Sequence, residues 1–469
     1  MRSKQGWLAL GLVLLGAAWP GPVLAQAVFI ESRTEAQVYQ VRSFRGLDNA
    51  HPVLLPRRRL VSSLALDGWE LITGQDLSFQ SDVRVFADFG VPPGEPSKVD
   101  GLKAVDAELL SGNLRYRVAG LDARLGRQVW WDALDAFALD GAHVRYLSPF
   151  HLGLELYGGL WVKGSSFAAS SVYQPDGVRE SDARRVALGD PDGRPLLDDL
   201  EPVVGGKLLL DGLGGVSAGL QYRRAWVAEQ VTFERAGAEL RFSTPRLPIS
   251  IFAAADADLI KLALANLRAE ARYDAGPFSA SAQVARYSPI LSTDSIWYWF
   301  SSGPRDEADL RVDLLPLPLA RFHLRGTVTR FAPVLRLADP AFLSQVTSLT
   351  FGASGGGAVR WEDLSSALEV SWRNGREGRS FLVDLTGGWT PPGRAWSLQG
   401  RLALADLTDR VQPRLTGTYL GGQLWGSYAL SEEARVSLVA EHNRSAGRPP
   451  DTKVFAAFSY QLALGRSFR

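Results

Sequence analysis

The most constraining feature of this chain is a two-residue alternation of apolar and polar side chains that recurs along most of its length. It is clearest in residues 454–468, where the even positions carry Ala456, Phe458, Tyr460, Leu462 and Leu464. The odd positions between them are mostly small or polar. A period of two is typical of a β-strand whose two faces meet different surroundings. The segment therefore predicts a strand, either closing a membrane barrel or lying at the edge of a soluble sandwich.

The same alternation continues upstream, for example in residues 151–162, 319–331 and 395–406. Counting every such segment predicts about 22 strands, and 18 to 22 is the acceptable range because boundaries are uncertain by two to four residues. Two of these segments, 102–110 and 114–128, are predicted to be separate strands joined by a turn at Ser111-Gly112-Asn113. Repeated strands of about ten residues favour an all-β fold made of a single transmembrane antiparallel barrel.

The N-terminus predicts export. Arg2 and Lys4 precede an apolar run over residues 7–19, and a small-residue pattern ends at Ala25. This is the pattern of a signal peptide, so we expect a signal peptide at 1–25 and a barrel over 26–469. No later run approaches the ~20 apolar residues of a membrane helix. If the protein lies in a membrane, only a closed barrel can satisfy its backbone there.

The connections between predicted strands alternate in length. Numbered from the C-terminus, the connections on one side are short turns and those on the other are mostly long, which is the asymmetry of periplasmic turns and extracellular loops. Trp389 and Trp396 flank one such turn and lie on the same face by parity, as aromatic residues do at a membrane boundary. Packing against a soluble core is the alternative for this pair.

Composition excludes several functions. The chain has 51 basic and 50 acidic residues and no cysteine, so we expect no nucleic-acid footprint, no disulfide and no cysteine nucleophile. Its five histidines are scattered singly, and no phosphate loop or metal-ligand spacing occurs. We therefore predict no enzyme activity, no catalytic residues, no metal site and no cofactor.

Charged side chains are expected to face the lumen, because each would cost about 2–4 kcal/mol near the middle of a bilayer. Parity assigns arginines to this solute path, and with Arg127, which enters from the motif below, the predicted set is Arg84, Arg117, Arg124, Arg127, Arg145, Arg241, Arg268, Arg272, Arg311, Arg321, Arg325, Arg401 and Arg435. Having both Arg117 and Arg124 inside requires a one-residue slip near Gly120.

Opposite charges are also expected to pair across neighbouring strands. A turn centred on Leu317 would pair Asp313 with Arg321, Arg311 with His323, and Asp309 with Arg325. Two interpretations remain for the charged face. The side chains stiffen the wall, or they form a path that favours anionic solutes through guanidinium contacts with carboxylate or sulfate groups.

Two long loops carry further signals. The loop over residues 163–203 is expected to lie outside as a lid or to fold inward as a constriction. Its acidic residues, which include Asp190, Asp192, Asp198, Asp199 and Glu201, favour a solvated loop over a Ca²⁺ site. Aromatic residues at 296–300 point to sugar stacking, membrane contact or packing inside the barrel mouth.

The chain resembles outer-membrane porins, and the alginate-export type in particular. Its last strand ends near Phe468, similar to the closing strand of such barrels. Residues 124–128 read Arg-Leu-Gly-Arg-Gln, and Asp140-Gly141 follow at the next strand. The resemblance implies a passive barrel with an arginine-rich lumen that passes an anionic polysaccharide. By motif it carries over only Arg124, Arg127 and Asp140.

The leading hypothesis is a passive channel in the bacterial outer membrane, and an anionic polysaccharide exported through it is the candidate solute. A general porin for small solutes and a closed barrel that anchors envelope machinery are the alternatives. The expected partners are outer-membrane lipid, an anionic polysaccharide and periplasmic export proteins.

Overall fold

The computed structural model describes residues 27–43, 53–89, 105–134, 136–162, 200–227, 230–287, 305–331, 349–375, 378–393, 395–410, 413, 416–445 and 448–467. Within these residues the chain forms 22 antiparallel strands in one sheet. In chain order they are β1 (Ala27–Ser43), β2 (Val53–Trp69), β3 (Asp76–Asp88), β4 (Val105–Val118), β5 (Leu121–Trp131), β6 (Ala136–Leu147), β7 (Leu152–Val162), β8 (Pro202–Leu213), β9 (Val216–Val227), β10 (Gln230–Ser243), β11 (Ile249–Asp258), β12 (Ala263–Ala275), β13 (Phe278–Tyr287), β14 (Arg305–Leu317), β15 (Ala320–Phe331), β16 (Leu349–Trp361), β17 (Leu364–Gly375), β18 (Gly378–Trp389), β19 (Trp396–Asp409), β20 (Gly417–Ala429), β21 (Ala434–Ser445) and β22 (Arg448–Ser467).

The sheet closes on itself. Strand β1 pairs with β22 over twelve residue pairs, from Ala27↔Ser467 to Val38↔Ala456, and pairs with β2 on its other side. Each remaining strand pairs with its two neighbours in sequence. Closure leaves no sheet edge with unpaired backbone groups. The predicted all-β barrel is therefore confirmed, with the strand number at the top of the expected range. In the described part of the chain no helix is long and apolar enough to cross a bilayer.

The outer face of the barrel is apolar. On β15, Leu324 is 66% exposed and faces outward, whereas its neighbour Arg325 faces the lumen. Leu156 on β7 and Leu402 on β19 are likewise more than half exposed. Exposed apolar side chains that recur on strand after strand form a continuous surface, and such a surface is stabilised by contact with hydrocarbon. This outer face and the closed barrel place the protein in the bacterial outer membrane.

The ends of the barrel differ as predicted. At the periplasmic end several strands are joined by two-residue turns, at 119–120, 214–215 and 276–277. At the opposite end the longest connection lies between β7 and β8, although only residues 376–377 separate β17 from β18. Trp389 and Trp396 meet on the outer face at the periplasmic end, edge to face, with ring centroids 4.7 Å apart. Their predicted common face is confirmed.

The turn predicted at Ser111-Gly112-Asn113 was wrong. Those residues lie inside β4, and the chain reverses instead at Ala119 and Gly120. Arg117 and Arg124 therefore belong to different strands, and both reach the lumen without the predicted slip within one strand.

The register predicted for β14 and β15 was also wrong by two residues. Asp313 lies opposite His323 and Arg311 opposite Arg325, because the strands meet at a tighter turn with an irregularity between Leu314 and Leu317. Two of the expected ion pairs nevertheless form as diagonal contacts. Arg321 Nη2 lies 3.0 Å from Asp313 Oδ1, and Arg325 contacts Asp309. Diagonal neighbours on one sheet face remain within reach of a long side chain.

Candidate solute path in the lumen

The strand register determines which predicted arginines face the lumen, because residues opposite each other on paired strands share a face. All of the predicted set except Arg127 lie on the inner face: Arg84, Arg117, Arg124, Arg145, Arg241, Arg268, Arg272, Arg311, Arg321, Arg325, Arg401 and Arg435. Their contact with a solute stays a prediction.

The lumen position expected for Arg127 was wrong. Arg127 shares the outer face with Leu125 and Val129, which are 62% and 51% exposed. Its guanidinium donates to both carboxylate oxygens of Asp140, at 2.7 and 2.6 Å, and to the carbonyl oxygen of Leu109 at 2.8 Å. Leu109 adjoins a register shift between β3 and β4. Arg127 is thus a structural residue of the wall, and Asp140 is its counter-ion.

One part of the inner wall, formed by β5–β10, neutralises its own charge. Lys207 Nζ lies 2.6 Å from Glu239 Oε1, and His143 Nε2 lies 3.1 Å from Glu155 Oε1. These residues line a recess of about 430 Å³ together with the inward-facing arginines of the same strands. Its lining contains five carboxylates against four lysine and arginine side chains, so it offers no excess of positive charge.

The connection between β5 and β6 bends into the lumen over this wall. With its amide oxygen turned toward the segment, Gln221 of β9 accepts hydrogen bonds from the backbone N–H groups of Ala133 and Leu134, at 3.0 and 2.9 Å. Leu134 is 3% exposed and packs where Gly237 of β10 leaves room. Residues 132–134 therefore narrow the lumen beside β9 and β10.

A buried arginine fixes this inward segment. Arg223 of β9 is fully buried, and its guanidinium lies 3.6 Å from the ring centroid of Phe137. It donates to the hydroxyl of Tyr157 at 3.1 Å and to the carboxylate of Asp132. Around it lies an apolar cluster of Phe137, Leu139, Tyr157, Trp161, Val203, Ala225 and Phe233. This side of the lumen is therefore filled by packed side chains.

The opposite wall, formed by β15–β20, is open and contains a recess of about 700 Å³. Two consecutive rows of inward-facing residues cross it. The first row is Arg321, Ala358, Ala367, Thr386, Arg401 and Gln423. The second is Arg360, Ser365, Gly388, Gln399 and Trp425. Small residues form the floor, with arginines toward both ends. From β15 to β19 the floor spans roughly 19 Å, at about 4.8 Å per strand spacing. We call it the arginine recess.

The arginine recess has an excess of positive charge. None of its lining residues is acidic. Asp313 accepts from Arg311 at 2.8 Å and from Arg321 at 3.0 Å, so one carboxylate serves two guanidinium groups. Arg401 contacts both oxygens of Asp384. Arg360 makes no ion pair with any residue that the structure describes. Unsatisfied guanidinium donors beside a neutral floor can bind a carboxylate, sulfate or phosphate group.

Sequence reasoning missed Arg360 and Trp425. Arg360 is the second-last residue of the glycine-rich strand β16, where a run of glycines gives no apolar alternation from which to set parity. Trp425 follows Leu424 on β20, so two apolar residues are adjacent and either could face outward. The register settles the choice, because Trp425 lies opposite Gln399 on the inner face. The indole is 46% exposed and can stack on a sugar or aromatic ring.

Several predictions fall on residues that the structure does not describe. The signal peptide, the body of the 163–203 loop and the aromatic segment 296–300 lie outside the described residues. At the end of that loop Glu201 is buried and accepts a hydrogen bond from Thr232 at 2.7 Å. Across the described ranges no group of three or more His, Asp or Glu side chains could hold a metal ion.

Comparison with known proteins adds to this picture at the level of fold. No family model and no curated protein matches the chain. Among solved structures, the siderophore receptor PirA from Pseudomonas aeruginosa is similar, with a TM-score of 0.50 and 11% identity over 92% of this chain and 80% of that one. OccAB2 from Acinetobacter baumannii has a TM-score of 0.44 and 6% identity, covering 95% of this chain and 100% of its own. OccK2 from Pseudomonas aeruginosa, solved in complex with glucuronate, has a TM-score of 0.44 and 12% identity over 95% and 100%. The chain shares the large outer-membrane barrel fold.

Proposed function

We propose that this protein is a passive outer-membrane channel for anionic solutes and that the arginine recess is where the solute contacts the wall. The observation that carries the proposal is a recess lined by Arg321, Arg360 and Arg401. Arg321 shares the carboxylate of Asp313 with Arg311, Arg401 contacts Asp384, and Arg360 makes no ion pair with any residue that the structure describes. The charge-neutral wall opposite makes this difference specific to one side of the lumen. A guanidinium group that has no counter-ion attracts anions into a narrow path more strongly than a paired one.

The recess favours a solute that has both a carboxylate and a ring. Arg360 and Arg321 supply charge-assisted donors, whereas Gln399, Gln423 and Trp425 supply amide groups and an aromatic surface. Export of an anionic polysaccharide is the second candidate. A floor that crosses five strands supports it, because such a floor could contact several sugar units at once.

The test is single-channel recording in a planar bilayer with the full-length chain. We expect a steady conductance that is blocked by added glucuronate but not by glucose. The variant Arg360→Gln removes the guanidinium without changing the fold, and blockade should weaken about tenfold, as for loss of one charge-assisted hydrogen bond. Arg268→Gln is the matched control, because Arg268 faces the lumen outside the recess and pairs with Glu270 at 2.8 Å.

The outcomes separate the hypotheses. Absence of conductance would support a closed anchoring barrel and contradict the channel. Equal weakening by Arg360→Gln and Arg268→Gln would contradict the recess as the contact site. Blockade by a polyuronate at far lower concentration than by glucuronate would favour polysaccharide export, and similar concentrations would favour a small-solute porin.

A further inference from the structure

The outer surface of the barrel is different at its two ends. At the periplasmic end the outward-facing residues are aromatic, as at Trp361, Trp389 and Tyr428, which are 67%, 41% and 51% exposed. Among the strand side chains that the structure describes, no arginine or lysine faces outward at that end. At the extracellular end several arginines face outward. The two membrane boundaries therefore meet different chemical groups.

Four of these arginines form a belt on β13–β21. We define the outer arginine belt as Arg286, Arg330, Arg379 and Arg444, each located near the extracellular end of its strand. The pairing of each arginine with residues of the neighbouring strands shows that its side chain faces outward. Arg286 and Arg330 flank Asp306 across β14, Arg379 lies beside Asn374 and Thr408, and Arg444 lies opposite Leu420.

The belt lies immediately above the hydrocarbon boundary. Two residues below Arg330 on the same face is Val328, and two residues below Arg379 is Phe381, which are 39% and 37% exposed. Leu420, opposite Arg444, is 48% exposed. One such step along a strand is about 6.6 Å, so the guanidinium groups lie at the depth of lipid headgroups.

Within the described residues the belt has little negative charge of its own. Asp306 lies between Arg286 and Arg330, with Arg286 Nη1 3.7 Å from its carboxylate. Arg330, Arg379 and Arg444 make no ion pair with any side chain that the structure describes. Directly opposite Arg379 lie the neutral residues Asn374 and Thr408. Asp406, one step further along the same outer face, accepts a hydrogen bond from Thr418 at 3.4 Å and makes no ion pair with Arg379 in the described structure. The belt therefore has unsatisfied guanidinium donors aimed at the membrane surface.

We propose that the outer arginine belt binds the phosphate groups of the phosphorylated glycolipid, lipopolysaccharide, that occupies the outer leaflet. Guanidinium groups donate two parallel hydrogen bonds to a phosphate and are only weakly hydrated, which suits them to a headgroup layer. The apolar residues below contact the acyl chains of the same lipid. The absence of a second belt at the described periplasmic end matches an inner leaflet that lacks this glycolipid. The inference depends on the outer-membrane location and is independent of the solute.

The experiment uses the full-length chain in detergent with purified lipid A as the probe. Native mass spectrometry would count bound lipid A for the protein and for Arg286→Gln/Arg330→Gln/Arg379→Gln/Arg444→Gln. We expect at least about tenfold weaker binding by the variant, because each change removes charge-assisted hydrogen bonds. The matched control is Arg84→Gln/Arg117→Gln/Arg268→Gln/Arg272→Gln, which removes the same charge from the inner face and should bind lipid A as the unaltered protein does.

A second probe tests the chemistry. Lipid A without its phosphates keeps the acyl chains, so the unaltered protein should bind it as weakly as the variant binds intact lipid A. Equal binding of both probes, or an equal loss in the inner-face control, would overturn the proposal. If the fourfold variant does not fold, Arg379→Gln/Arg444→Gln and Arg286→Gln/Arg330→Gln each remove half of the belt and should each weaken binding.

Discussion

Arg223 and Arg224 are adjacent in sequence but lie in opposite surroundings. Arg223 is fully buried under the ring of Phe137 inside the lumen. Arg224 faces outward, 3.9 Å from Glu234 and within 5.4 Å of the ring centroid of Trp226. Successive strand residues always point to opposite faces. Because the two neighbours are both arginine, the sequence does not show which of them faces the lumen. Packing against side chains of other strands determines which one does.

The buried position of Arg223 predicts a large effect of substitution. Arg223→Met should lower the free energy of unfolding by about 3–5 kcal/mol, because it removes the buried guanidinium that donates to Asp132 and packs on the ring of Phe137. Reversible urea unfolding in lipid vesicles measures the change. The same variant should release residues 132–134 from the inner wall and raise the channel conductance.

The neighbouring arginine supplies the control for that prediction. Arg224→Met removes a partly exposed pair and should change the free energy of unfolding by less than about 1 kcal/mol. The double variant Arg223→Met/Asp132→Asn should recover part of the loss, since the side chain that faced the guanidinium is then neutral. Equal effects of the two single arginine variants would show that Arg223 is not held as described.

How well the sequence predicts the face of a single residue depends on how much its polarity differs from that of its neighbours in the strand. Parity placed Arg311, Arg321 and Arg325 correctly, because they alternate with apolar residues on regular strands. The wrong lumen position for Arg127 came from the Arg-Leu-Gly-Arg-Gln resemblance and not from parity, which puts it on the face opposite Arg124. The charge of Arg127 is satisfied on the outer face by Asp140 and by a backbone carbonyl beside a register shift. A lipid-facing charge becomes acceptable when every donor has a partner. Periodicity alone contains no information about such partners.

At the scale of single elements, the β4–β5 turn shows why one connection was misplaced. Ala119 and Gly120 have φ values of +42° and +86°, the pattern of a type I′ turn. The usual sequence signal for such a turn is Asn-Gly, and Ala-Gly lacks it. Ser111-Gly112-Asn113 has turn composition but lies within β4, where strand pairing overrides local preference.

The turn predicts a stabilising substitution. Ala119→Asn should raise the free energy of unfolding by roughly 0.5–1 kcal/mol, because asparagine tolerates a positive φ better than alanine does. Gly120→Ala is the opposite control, since its Cβ would lie 2.4 Å from the carbonyl oxygen of Leu147. Urea unfolding should move the two variants in opposite directions, and a loss of stability in Ala119→Asn would contradict the assigned turn.

For the whole molecule, alternation and turn length together predicted a closed barrel of about 22 strands, because hydrocarbon outside and water inside impose one rule on every strand. The alternation of residues could not predict that one inner wall is filled by packed side chains and the other is open. This difference depends on the inward segment 132–134 and on Arg223, which unite residues from strands distant in sequence. Parity assigns a face to each side chain, but it does not show which charges meet.

The different charge of the two inner walls leads us to expect that the ion selectivity of the channel depends on salt concentration. Positive charge that remains unpaired in the arginine recess should make the channel prefer chloride to potassium at 0.1 M KCl, where the Debye length is about 10 Å. At 1 M it falls to about 3 Å, so the preference should largely disappear. Reversal potentials across a twofold KCl gradient, at low and high mean concentration, measure the preference for chloride.

The charge can be located by substitution. Arg321→Gln/Arg360→Gln/Arg401→Gln should abolish the preference at 0.1 M. Lys207→Gln/Glu239→Gln removes a neutral pair whose atoms are 2.6 Å apart, so it should leave the preference unchanged. A preference that survives the triple substitution would place the selective charge elsewhere in the lumen.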